Sequence, residues 1–273
     1  MTKISCIIHE SEDIYHSRSR SGEMMSSHLL SLFGRSPYKY HQTVSGLVEQ
    51  EDKPEYVFGR AAHKLILEGQ AAFDEAYTVA DGPINPKTNM PYGKATQAYQ
   101  NWLADQHGEV ISTADYETIK AMHDNCWSHN EIAELLNAED GEAEGVVRAH
   151  LEDVPCQIRM DFFASSVGIV DLKTCRDIEF FEKDCRDFGY AYQLAFYQSV
   201  LQAACGVKFP VHFIVVDKTD FHIAGRWDIP DIELEQCDSI NRAALRRYKE
   251  SLANEKWPTG YEHTRLFALH KEC

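Results

Sequence analysis

Several things are scarce in this sequence of 273 residues. No stretch approaches the ~20 apolar residues that a membrane-spanning helix needs. The longest candidate, Phe209 to Val216, has strand length and includes His212. Residues Met1 to Asp13 lack a basic start followed by an apolar run, so no signal peptide is expected and an intracellular protein is. Internal repeats and low-complexity linkers are absent, and ordinary apolar and charged fractions exclude a disordered chain, a collagen-like repeat and a coiled-coil rod. No C-x-x-C pair exists among the eight cysteines at 6, 126, 156, 175, 185, 205, 237 and 273. A zinc ribbon or clustered iron–sulfur site therefore has no basis; scattered, reduced and buried thiols are expected. His123-x-x-Cys126-x-x-His129 holds ligand residue types, but steps of three drift around a helix and take the three off a common face.

Positive charge is also scarce. There are 27 Lys and Arg against 43 Asp and Glu, a formal charge of −16. Such a chain is no bulk electrostatic binder of nucleic acid or anionic lipid, and any phosphate-binding surface must be local. The charges are uneven. Ile14 to Val44 has four basic residues, Arg18, Arg20, Arg35 and Lys39, against Glu23 alone. Asn130 to Pro155 has eight acids against Arg148. Ser239 to Lys249 has four bases and no acid, preceded by Asp231, Glu233, Glu235 and Asp238, which also suits a helix complementing its own dipole.

What is present reads as a mixed α/β protein. Ser26 to Phe33, Tyr56 to Ala72, Ala95 to Gln106 and Ser112 to Leu136 have helical spacing, with a long Pro- and Gly-rich loop over Asp81 to Gly93. Ser112-x-x-Asp115 resembles a helix start. From Glu144 the texture changes. Glu144 to Glu152, Val154 to Ala164 and Gly168 to Thr174 are β-rich with short breaks, as in an antiparallel meander. A helix over Asp187 to Cys205, strands over Val211 to Asp217 and Phe221 to Trp227, and a helix over Ile232 to Asn254 follow. One domain spanning 1–273 is expected, with a mainly helical part over 1–140 and a sheet-bearing core over 141–273.

Alternation places Arg159 and Asp161 on one face of the second strand and Ile158, Met160 and Phe162 on the other. In the third strand Asp171 and Lys173 oppose Val170 and Leu172. Two acids and a lysine on an otherwise buried sheet need compensation. A divalent cation with hard oxygen ligands supplies it; a salt-bridged face open to water is the alternative. Gln193 and Tyr197, four apart on the next helix, lie within one turn of each other and can orient a lysine, a water or a phosphate.

Taken together, Gly59-x-x-x-His63, Glu144, Arg159-x-Asp161, Asp171-x-Lys173-Thr174 and Gln193-x-x-x-Tyr197 resemble the PD-(D/E)XK nuclease superfamily in its RecB-like form. The branch they most resemble is the RecE-type, exodeoxyribonuclease VIII-like domain. Ser26-Ser27, Ser36-Pro37-x-x-Tyr40, the Ala95-Thr96 to Trp102 segment and Trp257-Pro258 to Tyr261 extend the resemblance nearly end to end. It implies a PD-(D/E)XK core with an N-terminal helical region that contributes His63.

The resemblance also implies roles. His63, Asp161, Asp171 and the backbone carbonyl of Leu172 would bind one or two Mg²⁺ or Mn²⁺ ions. Lys173 would hold or activate the attacking water and stabilise charge on the phosphate. Gln193 and Tyr197 would position Lys173 or the phosphate. Glu144 matches the acid before the core hairpin, with Glu142 and Glu152 as alternatives. The expected activity is 5′-to-3′ digestion of linear double-stranded DNA from its ends, leaving 3′ single strands for annealing recombination. A homo-oligomeric ring, a single-strand annealing partner and the cytoplasm of a bacterial or phage-infected cell go with it. Arg18, Arg20, Arg35, Lys39 and Arg159, and Arg242, Arg246 and Lys249 at helical spacing, are the expected phosphate contacts. The alternatives are a RecB/Cas4-like nuclease of other polarity, an endonuclease, and a non-catalytic DNA-end-binding protein.

Overall fold

A computed structural model describes residues 6–48 and 54–265. Cys273 lies outside the described residues, and the seven other cysteines are free thiols. Among the described residues no helix is long and apolar enough to cross a membrane.

The helical part opens with α1 (Glu12–Arg20), α2 (Ser27–Arg35) and α3 (Pro37–Val44). Ser11, Ser26 and Ser36 cap them by accepting from amides three residues on, the means by which serine satisfies an orphan donor of the first turn. The segment expected as one helix over Tyr56 to Ala72 is α4 (Pro54–His63), a π-turn over Lys64–Glu68 and α5 (Gly69–Ala76). Strand β1 (Tyr77–Val79) pairs in parallel with β4 (Glu109–Ile111) across the long loop, which itself holds the minimal hairpin β2 (Ile84–Asn85) and β3 (Met90–Pro91). Helix α6 (Gln97–Ala104) lies within that excursion. The helix expected over Ser112 to Leu136 breaks at the extended backbone of His129 into α7 (Thr113–Ser128) and α8 (Asn130–Leu136). Ser112 accepts from the Asp115 amide and donates to the Asp115 carboxylate, so the expected helix start forms.

The sheet runs β5 (Glu142–Leu151), β6 (Val154–Ala164), β7 (Gly168–Cys175), β8 (Val211–Asp217) and β9 (Ala224–Asp228), in that spatial order. All neighbours are antiparallel except β7 and β8. A parallel pair needs a crossover. It is supplied by α9 (Phe181–Phe188) and α10 (Tyr190–Cys205), separated by Gly189 at φ +76°, a backbone that costs glycine little. Helix α11 (Asp231–Asn254) closes the fold.

Helices cover both faces. Leu29 and Phe33 of α2, Leu194 and Val200 of α10 and Leu245 of α11 pack with Val147, Ile158, Met160, Ile169 and Phe213 in one core. Ala62 of α4, Ile119 and Met122 of α7 and Ile132 of α8 pack with Val170, Leu172, Ile214 and Val216 in the other. Each buried Leu, Ile or Phe stabilises the fold by about 1.5–3 kcal/mol. Strand β7 lies between the two cores, with Ile169 in one and Val170 and Leu172 in the other, and it carries Asp171 and Lys173.

Candidate active site

The site lies where the β6–β7 ladder stops. Pairing runs from Ala164 opposite Gly168 to Phe162 opposite Val170 and goes no further, while β7 stays paired with β8 to Cys175. At the open end Asp161 Oδ2 accepts from the Leu172 amide at 2.8 Å, so a side chain replaces the lost ladder bond. The expected alternation fails here. Phe162 does not share a face with Ile158 and Met160; it packs with Val170 and Leu172, while Ile158 and Met160 pack with Phe163. The β5–β6 pairing skips Glu144 and Asp161, between Ala143 opposite Phe162 and Gly145 opposite Met160, and Glu144 has φ +58°. On β7 the expected faces hold: Val170 and Leu172 sit in one core, with Asp171 and Lys173 opposite.

The side chains of His63, Asp161, Asp171, Lys173 and Gln193 converge at this opening. His63 Nδ1, from the end of α4, is 3.5 Å from Asp161 Oδ2, beyond a hydrogen bond, and the imidazole also faces the Leu172 carbonyl. Lys173 Nζ lies 2.5 Å from Asp171 Oδ2 and 5.0 Å from the Tyr190 ring centroid. Gln193 Nε2 donates to Asp171 Oδ1 and to Tyr197 Oη, both at 3.1 Å. Asp171 is the floor of the site, with a side chain 1% exposed, against 17% for Asp161, 18% for Lys173 and 25% for His63.

The electrostatics follow from burial. Burial and the Lys173 charge push the His63 imidazole down to about 4, which favours the neutral ring. Burial, reinforced by Asp161, raises Asp171 to about 6 against the pull of Lys173. Burial also raises Asp161. Burial alone would lower Lys173, but the two carboxylates outweigh it and the ammonium is raised. Lys173 is therefore a cation here, suited to steadying negative charge. Glu144 is pushed up to about 8 by burial and by Asp161. Arg159 Nε lies 2.8 Å from Glu144, without hydrogen-bond geometry, and Nη1 is 3.6 Å from Glu12.

As placed, no three His, Cys, Asp or Glu side chains cage an ion among the described residues. The chemistry of the donor set nonetheless fits a divalent cation. Asp171 Oδ2 is buried with no hydrogen-bond partner despite the nearby ammonium. Beside it stand a second carboxylate, a neutral imidazole and the Leu172 carbonyl, a hard oxygen-rich set with one nitrogen.

The expected phosphate contacts divide. Arg18 pairs with Glu23, Arg242 with Asp238 and Glu152, Arg246 with Glu152, and Lys249 with Asp153. Arg20, Arg35 and Lys39 have no carboxylate partner among the described residues. Glu142 sits 3.1 Å from His9, and Glu152 belongs to the Arg242 cluster. Cys126 is buried and raised to about 12 by burial. Sequence reasoning did not find Tyr190 beneath Lys173, or Glu68. Glu68 pairs with Lys64, four residues before it, at 2.7 Å, and its charge acts on Glu144. Nothing in G-R-A-A-H-K-L-I-L-E-G signals a π-turn.

No curated relative matches the sequence. A candidate exonuclease from Eubacterium rectale is similar in structure, with TM-score 0.68 and 16% identity, over 97% of this chain and 97% of that one. LHK-Exo in complex with dAMP aligns with TM-score 0.31 and 14% identity over 59% of this chain and 85% of that one, too weak to bear on the fold. The family model described as a PDDEXK-like domain of unknown function (DUF3799) matches residues 26–269. With the whole five-stranded sheet and every helix but α1 inside that match, the chain belongs to this PDDEXK-like family.

Proposed function

We propose that the protein is a Mg²⁺- or Mn²⁺-dependent DNA exonuclease of the RecE type. One observation carries this reading: the β6–β7 hairpin opens at Asp161 and Asp171, and His63, Lys173 and Gln193 reach the same opening. His63, Asp161, Asp171 and the Leu172 carbonyl would hold the cation. When bound, it supplies positive charge at the scissile phosphate and lowers the pKa of water there. The Lys173 ammonium donates to the phosphate oxygen on which charge grows. Gln193 holds Asp171 on one side and Tyr197 on the other, which fixes the carboxylate without competing for Oδ2. Tyr197, raised well above the ordinary tyrosine value by burial, keeps its proton and remains a donor. No covalent nucleophile is needed. Cys175, raised to about 12 by burial, stays a thiol.

Digestion in the 5′-to-3′ direction from linear duplex ends, production of 3′ single strands for annealing, a ring of several copies and an annealing partner belong to the same proposal; the sequence resemblance supports them. The test is a time course on end-labelled linear duplex beside circular DNA, with Mg²⁺ and with chelator. Release of nucleotides from linear DNA only, with Mg²⁺ only, is expected. Cutting of circles makes it an endonuclease, label lost in the opposite order reverses the polarity, and shifted but intact DNA leaves a binder.

A further inference from the structure

Beside the opening runs a groove of about 1110 Å³, above the usual range for a small-molecule pocket. Gln193 and Tyr197 form part of its wall, so it is continuous with the proposed catalytic residues. Although the chain carries 43 acidic residues, no Asp or Glu is found among the described residues that line the groove. Arg20 of α1, Arg35 of α2 and Arg247 of α11 do line it, and none of the three has a carboxylate partner among the described residues. Arg247 rests over the Phe33 ring at 5.7 Å and reaches the Gly34 carbonyl. Helix geometry explains its difference from its neighbours. Arg242, Arg246 and Lys249 share the stripe that faces Glu152 and Asp153, while Arg247 is one step, about 100°, further round.

The same wall carries aromatic faces. Phe188 is 64% exposed and Tyr192 38% exposed, one on each side of the left-handed Gly189. Exposed aromatic rings next to arginines without a carboxylate partner, with no acid among the described lining residues, match one kind of chain: phosphates along its length and flat apolar rings between them.

We propose that this groove binds a single strand of nucleic acid, with Phe188 and Tyr192 stacking on bases and Arg20, Arg35 and Arg247 holding phosphates. The proposal rests on the nuclease reading for its purpose, since it routes one unpaired strand past Gln193 to the opening. It does not depend on that reading for its binding. Duplex DNA keeps its bases stacked inward and cannot offer them to Phe188 and Tyr192, so the groove selects unpaired ends.

The test is binding of a labelled oligothymidylate of about 12 nucleotides to the full chain in EDTA, followed by anisotropy, beside a blunt duplex of equal length. Tighter binding of the single strand is expected. Phe188→Ala and Tyr192→Ala should each weaken it about tenfold. Arg247→Glu should weaken it by at least that much and make the salt dependence shallower by about 0.7 in log–log slope, while Arg247→Lys restores most of the affinity. Lys183→Glu, the same charge change on α9 outside the groove, should leave affinity unchanged. Equal affinity of the groove variants and wild type, or an equal loss from Lys183→Glu, overturns the proposal. If wild type binds the strand through these residues yet digests no DNA, the groove stands and the nuclease reading falls. If it digests DNA while the variants bind as wild type does, the groove falls alone.

Discussion

Two aspartates each accept a backbone amide of the β6–β7 hairpin at 2.8 Å: Asp140, which precedes β5, from Ser165 at the closed turn, and Asp161 from Leu172 at the open end. Their titrations move in opposite directions. Hydroxyls of Ser165 and Ser166 hold Asp140 down to about 2 at an open surface. Burial beside Asp171 raises Asp161 in spite of the amide bond and the Lys173 charge. A hydrogen bond to the charged form favours ionisation, and desolvation opposes it; solvent access decides which wins. At the turn the carboxylate strengthens the fold. At the opening two carboxylates crowd together at a cost that a cation or a phosphate-bound cation can relieve.

The largest expected difference is catalytic. Asp161→Asn, Asp171→Asn and Lys173→Ala should each lower Mg²⁺-dependent DNA digestion by about 10³-fold, roughly 4 kcal/mol of barrier. Asp140→Asn should leave it within about twofold. Comparable rates for Asp171→Asn and wild type would remove Asp171 from the site. Stability of the metal-free protein should then reverse the ranking. Asp161→Asn keeps an acceptor for the Leu172 amide and removes a buried charge, so the denaturation midpoint should rise by an amount worth about 1–2 kcal/mol. Asp140→Ala leaves the Ser165 amide without its acceptor and should lower stability by about 1 kcal/mol. A fall for Asp161→Asn would mean that the paired acids are not strained against each other.

The pH dependence sharpens the contrast. Asp171 titrates near 6 when folded and near 3.8 otherwise, so the folded state holds a proton that the unfolded chain has released. Its contribution to metal-free stability therefore grows as pH falls from about 6 to about 4. Asp140 is depressed, so its contribution is complete above about 3.8 and is lost as pH falls toward 2. Urea midpoints taken in chelator from pH 7 to pH 3 for wild type, Asp171→Asn and Asp140→Asn should differ in these two windows. The differences between variant and wild type isolate each group from Glu144, which titrates higher.

Much of this was legible in the residues. Apolar, β-rich runs mark β6 and β8 at their observed ends, and D-L-K fixes which face of β7 is charged. The interruption of the β5–β6 ladder at Glu144 and Asp161 was not legible, because a positive φ at glutamate has no local signature. The breaks at His129 and Gly189 divide helices whose apolar spacing reads as continuous. Arg242 and Arg246 looked like a phosphate site because their partner, Glu152, is about ninety residues away in sequence. Arg247, one position on, faces the groove instead. Periodicity groups residues into faces, but only the fold says what each face meets.

The smallest effect tests the cause assigned to Asp140. Ser166 Oγ donates to Asp140 Oδ1 at 2.6 Å, and Ser165 donates to Oδ2 through both its amide and its hydroxyl. Ser166→Ala removes one donor and leaves the turn and the Ser165 bonds in place. The Asp140 carboxyl, followed by NMR, should then move up toward the ordinary aspartate value, with stability near neutral pH changed by no more than about 0.5 kcal/mol at so exposed a site. The Asp161 titration should stay where it is, because no hydroxyl contributes there. If Asp140 stays low in Ser166→Ala and in Ser165→Ala, hydroxyl donation is not what separates the two aspartates. The difference would then rest on burial at Asp161 alone.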